Sequence, residues 1–312
     1  MQIEGSTVLV TGANGFLGTR LARRLAKAGA KVRALVRRPG EIEDLTKAGV
    51  TEHVGDFVNE DVAQRAAADV DAVVHTAAAL GPDIEPVRRV NVAGTRSMIA
   101  AARATGVRHF VQISTVAVYD LLANPQLVDE DSPLKTEGDP YAVTKAEADV
   151  AVLEAMSAGL RATILRPVQI LGLHPTSTWA VIVPARVRDE GKTALLIKGQ
   201  VIDGSNTWSW VHAENLADAL FLVLEKEAAV GRVYNVVDGQ TTWREFTDDV
   251  RRWFGRPPID TEPNQTLARH PLWTGRYSAE RIRRELGWTP RLTYADGMGE
   301  AEAYWRAREN DG

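Results

Sequence analysis

The sequence predicts an α/β protein, a doubly wound, mainly parallel sheet carrying a smaller C-terminal lobe. Three observations support this. Short apolar runs alternate with longer alanine-rich amphipathic segments through the first half. A glycine-rich turn follows the first run, and the rhythm breaks after Arg166-Pro167. Alternation at this spacing implies βαβ units, and right-handed crossovers put helices on both faces of the sheet.

The runs Thr7–Thr11, Lys31–Val36, Thr51–Val54, Ala72–His75, His109–Ile113 and Ala162–Leu165 read as buried strands, with helices at Phe16–Ala28 and Val87–Ala104 between them. Asp139 suits a helix N-cap and Pro140 the first helical position of a segment running to Ser157. Beyond Pro167, residues 170–206 hold glycine, proline and turn formers around one helical pattern, Trp179–Glu190. Strand-like residues return at Trp208–His212, a helix at Glu214–Glu225 and a last strand at Val233–Val237. The tail is mostly helical, broken by Pro257-Pro258 and Pro271.

Composition narrows the function classes. The chain has 312 residues and a net charge of -4, which argues against broad attraction to nucleic acid. Its hydrophobic share of 45% is that of a globular protein. With no cysteine there is no disulfide, thiolate ligand or cysteine nucleophile, and the histidines and carboxylates show no zinc spacing. No signal-like or membrane-spanning run is seen. The expectation is a cytoplasmic protein with a small-molecule substrate, no metal, no membrane and no nucleic-acid partner.

Thr7–Gly18 reads as strand, glycine turn and helix start. Gly12 permits the tight turn, Gly15 lets the backbone approach a pyrophosphate, and Gly18 allows close helix–strand packing. The helix N-terminus then offers free N–H groups and partial positive charge to an anion. This is the nucleotide-binding signature of a Rossmann fold, with Asn14, Phe16 and Leu17 between and beside the glycines. The second strand ends in Val36 and is followed by Arg37 and Arg38 rather than an acidic residue. A guanidinium grips a ribose 2′-phosphate with charge-assisted bonds, so NADP is expected, with NAD possible. Gly55-Asp56-Phe57 is expected to bring Asp56, with Phe57 beside it, to the adenine. Residues 1–168, rejoined by 207–237, then form a dinucleotide-binding domain, and 169–206 with 238–312 a substrate-binding lobe.

Tyr141-Ala-Val-Thr-Lys145 places a phenol and an ammonium one helical turn apart. A nearby ammonium favours the phenolate, so Lys145 is expected to lower the pKa of Tyr141.

Thr11–Gly18, Gly55-Asp56, His75–Ala78, Asn91–Thr95, Ile113–Tyr119, Tyr141–Lys145, Leu165–Pro167, Trp210–Ala217 and Leu286–Pro290 occur in one order over nearly the whole chain. Together they resemble the extended short-chain dehydrogenase/reductase superfamily. The resemblance implies Tyr141 as general acid/base and Lys145 as ligand of the nicotinamide ribose. It selects Thr115, four residues before Tyr119, rather than Ser114 as the hydroxyl that binds the substrate oxygen. Thr76, Ala77 and Ala78 would pass beneath the cofactor, Asn91 would be a cofactor or structural contact, and Pro167 and Val168 would border the nicotinamide. Members of the superfamily often pair two helices, here Val87–Ala104 and Pro140–Ser157, into a homodimer.

Within the superfamily, dehydratases follow the catalytic threonine with Asp-Glu, where this chain has Val116-Ala117. Epimerases commonly close the second strand with an acidic residue, where this chain has Val36. The run Val32–Pro39 looks like dihydroflavonol-reductase and hydroxysteroid-dehydrogenase relatives, so an NADP-dependent reductase is expected. A sugar-nucleotide epimerase with bound NAD and a non-catalytic NADP sensor are the alternatives. The pocket walls are expected from Leu80–Ile84, Tyr119–Leu127, Gln169–Val183 and the tail around Trp208 and Trp273. Leu80, Gln169 and Trp179 would there meet a largely apolar substrate. Arg186, Arg188, Lys192 and Lys198 keep open a pyrophosphate-bearing one.

Overall fold

Successive side chains of a strand point to opposite faces, and the central strands of this chain are apolar on both, as in Val8-Leu9-Val10, Ala72-Val73-Val74 and Phe110-Val111. They therefore need cover on both sides, and the computed structural model provides it. It describes residues 1–122, 125–190, 196–197, 200–201, 206–258 and 275–310. Seven strands pair in parallel: β1 (Thr7–Thr11), β2 (Lys31–Val36), β3 (Thr51–Val54), β4 (Ala72–His75), β5 (His109–Ile113), β6 (Ala162–Pro167) and β7 (Arg232–Val236), in the order β3-β2-β1-β4-β5-β6-β7. In register across the centre, Val10, Val74 and Val111 face one core, while Leu9, Val73 and Phe110 face the other. Helices Phe16–Lys27, Ala213–Glu225 and Glu280–Leu286 cover the first face, and helices Glu60–Ala67, Gly94–Ala104 and Pro140–Ser157 the second. The order reverses between β1 and β4, which opens the crevice where α/β sheets of this kind hold ligands.

Two expected helices contain a local irregularity. Val87–Ala104 is not one α-helix: a π-helical turn over Arg89–Ala93 separates Ile84–Arg88 from Gly94–Ala104. Such single-turn bulges insert a residue and re-aim side chains; here Asn91 lies within the turn. Trp179–Glu190 likewise begins as a π-helical turn, Thr178–Ile182.

The later chain weaves between two cores. Only Val168 separates β6 from Gln169–Leu171, which pairs in parallel with Thr207–His212; that strand pairs antiparallel with Gly239–Thr242. Within 207–237, β7 and helix Ala213–Glu225 thus join the large sheet while Thr207–His212 joins the small one. The small sheet carries an aromatic core in which Trp208 stacks on Phe246 at 4.2 Å and Trp179 and Trp243 pack edge-on. The tail divides too. Helix Trp243–Trp253 and residues Met298, Ala301 and Trp305 pack in the aromatic core, whereas Ile282, Leu286 and Trp288 pack with the large sheet.

His75 ends β4, fully buried, with Nδ1 bonded to the Thr11 hydroxyl at 2.7 Å and Nε2 to that of Thr95 at 3.2 Å. Burial, and behind it the Lys145 charge, holds its pKa down to about 3. Below its ordinary 6.5 the unfolded chain takes up a proton that the folded protein refuses, so stability falls as pH drops from 6.5 toward 3. His75→Asn should therefore show a shallower loss of urea resistance between pH 6.5 and 4 than the parent, and an equal slope would refute this role.

Candidate active site

The glycine turn sits at the end of β1, against the start of the loop that follows β4. Gly12 has φ +66°, and a Cβ on it would lie 2.9 Å from both Cα and N of Ala77. A Cβ on Gly18 would lie 2.1 Å from the carbonyl oxygen of Gly12, so helix and turn touch backbone to backbone. Thr76 donates its hydroxyl to Thr11 O at 2.6 Å, and the Ala77 N–H reaches the Thr11 hydroxyl at 3.3 Å. Gly15 caps helix Phe16–Lys27 with no side chain of its own, leaving the first helical N–H groups open. A narrow, side-chain-free turn against a helix N-terminus fits a dinucleotide pyrophosphate.

The other expected cofactor contacts divide. Pro167 and Val168 are buried at the end of β6, and Ala78 is exposed beside half-buried Thr76 and Ala77. Phe16 stacks on His174 at 5.8 Å, whereas the Leu17 side chain is in the core. Phe57 is buried under the sheet, edge-on to His75 at 5.2 Å and against Gly94, rather than open to an adenine. Asp56 is tied to Arg89 by a 3.1 Å ion pair. Asn91 accepts from Ala79 N–H at 2.7 Å and donates to Ala79 O and to the Thr144 hydroxyl, clamping the loop after β4 to helix Pro140–Ser157. Arg37 and Arg38 are both exposed; Arg38 Nε donates to Glu41, whose other oxygen accepts from Asn14.

Asp139 caps the next helix through the Ala142 N–H, with Pro140 at its first position, and this sets Tyr141 and Lys145 at the sheet's C-terminal edge. Lys145 is buried and its ammonium donates to Ile113 O at 2.8 Å. Burial lowers its pKa to about 8, opposed by Asp149. The expected lowering of Tyr141 is not found. Burial pushes the phenol up to about 12 and the Asp149 charge adds to the rise, with Thr115 opposing, while the Lys145 ammonium is turned toward the Ile113 carbonyl. Thr115 Oγ1 accepts from the Ala117 N–H at 3.2 Å, while Ser114 Oγ is buried with no hydrogen-bond partner.

Sequence reading passed over the residues beneath this pair. Asp149, one turn beyond Lys145, holds Arg166 in a 2.9 Å ion pair with both side chains buried. Arg166 also donates to the Tyr119 hydroxyl, which donates to Asn235 Oδ1. The spacing of Lys145 and Asp149 was the available signal. Of the expected pocket residues, Gln169 is half-buried opposite Trp210, with Oε1 buried and without a hydrogen-bond partner. Leu80 is 77% exposed. Trp179 packs into the aromatic core. Trp273, Lys192 and Lys198 lie outside the described residues. Among the described residues no group of three His, Asp or Glu side chains is arranged to hold a metal, and no helix is long and apolar enough to cross a membrane.

Comparison with known proteins bears on the family and the fold. Residues 8–237 match the model of the NAD dependent epimerase/dehydratase family. The chain is 31% identical to 2-alkyl-3-oxoalkanoate reductase of Stenotrophomonas maltophilia, covering 95% of this chain and 98% of that one. It is 29% identical to a dTDP-glucose 4,6-dehydratase of Streptomyces griseus, over 96% and 93%. A solved dTDP-glucose 4,6-dehydratase of Streptomyces venezuelae, with NAD bound, shares the fold at a TM-score of 0.79 and 24% identity, over 97% and 98%.

The glycine contacts make a graded expectation. Gly18→Ala drives a methyl into the Gly12 carbonyl and should lower the melting temperature by several degrees and abolish dinucleotide binding. Gly15→Ala, whose Cβ would stand 3.3 Å from the same oxygen, should keep the fold. Equal melting temperatures for the two variants would contradict the steric argument.

Proposed function

The chain belongs to the NAD dependent epimerase/dehydratase family, within the extended short-chain dehydrogenases, and on that premise we propose that it is an NADP-dependent reductase of a largely apolar carbonyl compound. What supports this reading is the placement of Tyr141 one helical turn before the buried Lys145 on a helix capped by Asp139, with burial raising and Thr115 lowering the phenol's pKa. A phenol held at about 12 keeps its proton at neutral pH, which suits donation to a carbonyl oxygen as it becomes an alcohol. A bound nicotinamide dinucleotide supplies the hydride for the carbonyl carbon. Thr115 and Tyr141 hold and polarise the oxygen, and Tyr141 passes its proton to it. Lys145, fixed by Ile113 O, orients the cofactor ribose and brings a cation close to the phenolate left behind. Arg37 and Arg38 favour the 2′-phosphate of NADP.

The apolar substrate is supported by exposed Leu80, Leu122 and Ile182, all in segments expected to wall the pocket. The similarity to a 2-alkyl-3-oxoalkanoate reductase points the same way. Val116-Ala117 after Thr115 offers no acid or base for dehydration. A homodimer is the assembly we propose. A groove lined by Ile99, Ala100, Ala151 and Ala155 runs between helices Gly94–Ala104 and Pro140–Ser157, edged by Arg96, Arg103 and Glu154. Opposite charges on one patch suit a two-fold contact with itself.

In an NADPH absorbance assay with medium-chain ketones and β-keto acids beside nucleoside diphosphate sugars, turnover of the apolar carbonyls is expected. Tyr141→Phe should reduce it by about two to four orders of magnitude with the affinity for NADP kept. Thr115→Val should be comparably damaging, Ser114→Ala near parental, and Lys145→Met weaker in both binding and turnover. Turnover of sugar nucleotides alone, or NAD retained through purification, would establish an epimerase instead. Sedimentation at high concentration should give twice the 34.1 kDa of the chain; a monomer would end the dimer proposal.

A further inference from the structure

The second strand ends without an acidic residue, yet the fold brings one to the same place. Glu41, five residues beyond Val36, turns back toward the glycine loop: one carboxylate oxygen accepts from Asn14 Nδ2 at 3.1 Å and the other from Arg38 Nε at 2.9 Å. The Glu41 side chain is 14% exposed and Arg38 is 79% exposed, so the guanidinium is drawn onto a partly covered carboxylate. Asn14 lies between Gly12 and Gly15, and Arg38 lies just beyond the end of β2. In a sheet of this order the adenosine ribose of a dinucleotide lies between those two points. Beside them is a cavity of about 350 Å³ lined also by Glu43, Asp44, Arg23 and His174.

We propose that Glu41 sets the discrimination between a ribose 2′-phosphate and a ribose 2′-hydroxyl at this site. The inference rests on the cofactor reading above and sharpens it. Arg38 Nε is committed to Glu41, so a phosphate is left its two terminal nitrogens and must share the guanidinium with a carboxylate. The carboxylate itself repels a phosphate dianion, and Glu43 and Asp44 add to that field. Arg37 is left as the cation that favours the 2′-phosphate outright. A 2′-hydroxyl meets no such repulsion and can donate to the Glu41 carboxylate. Glu41 thus lowers a preference for NADP that the Arg37-Arg38 pair would otherwise make steep.

The test is titration of the full-length protein with NADP⁺ and with NAD⁺, followed by intrinsic fluorescence, for the parent, Glu41→Gln, and Glu41→Gln combined with Arg38→Ala. Glutamine keeps an acceptor for Asn14 while removing the charge. Glu41→Gln should tighten NADP⁺ by about tenfold and leave NAD⁺ unchanged or weaker. Adding Arg38→Ala should cancel the gain, and the gain should shrink at high salt. An unshifted ratio of the two affinities, or equal changes in both, overturns the inference while leaving the reductase reading in place. A parent protein that binds neither dinucleotide overturns the functional reading and this inference together.

Discussion

The close approach of Gly12 to Ala77 is the constraint on which the rest of the site depends. No side chain can stand between the end of β1 and the loop after β4, because a single methyl there would lie 2.9 Å from backbone atoms. That contact aligns the first helix behind the turn, and the Gly18 contact locks it. The loop is then stitched from both directions, by Thr76 to Thr11 and by Asn91 to Ala79 and Thr144. The π-helical turn holds Asn91 where it can reach both the loop and helix Pro140–Ser157. A steric fact about two glycines is thereby transmitted to the helix that carries Tyr141 and Lys145.

Beneath the reactive pair lies a layer of buried charge. Lys145, Asp149 and Arg166 are each 2% exposed or less. Removing one partner from a buried pair costs about 3–5 kcal/mol, and one Asp149 oxygen is itself buried with no hydrogen-bond partner. Here the ammonium is turned to a backbone carbonyl, and Asp149 is shared between attracting it and binding Arg166. In the protein alone Lys145 therefore does little to ionise Tyr141. Burial holds the Tyr141 phenol above its ordinary pKa.

The small lobe is held by a different force. Trp179, Trp208, Trp243 and Phe246 form a packed aromatic cluster next to a three-stranded sheet that β6 enters through Val168 alone. Large rings bury much area per residue and pack at defined angles, which suits a core assembled from segments far apart in sequence. Trp179, a candidate for the substrate on sequence grounds, is absorbed into that cluster.

Much was legible in the sequence because it is written in short-range physics. The β1–β5 boundaries follow from runs of apolar residues, the glycine turn from the need for φ above zero and for close backbone contact, and the Tyr141 helix from its Asp-Pro cap. What periodicity could not reveal is which distant side chains meet. Phe57 looked like an adenine neighbour but turns under the sheet, and Asp56 is engaged by Arg89. Glu41 lies too far beyond the second strand to be counted at its end, yet the loop folds it back onto Asn14. The direction of the Lys145 ammonium, and with it the protonation of Tyr141, depends on burial and on one carbonyl of a neighbouring strand. Local sequence determined the elements and the candidates for the reactive groups. Tertiary structure alone decided their charge states and partners, because desolvation and long-range contact exist only once the chain has packed.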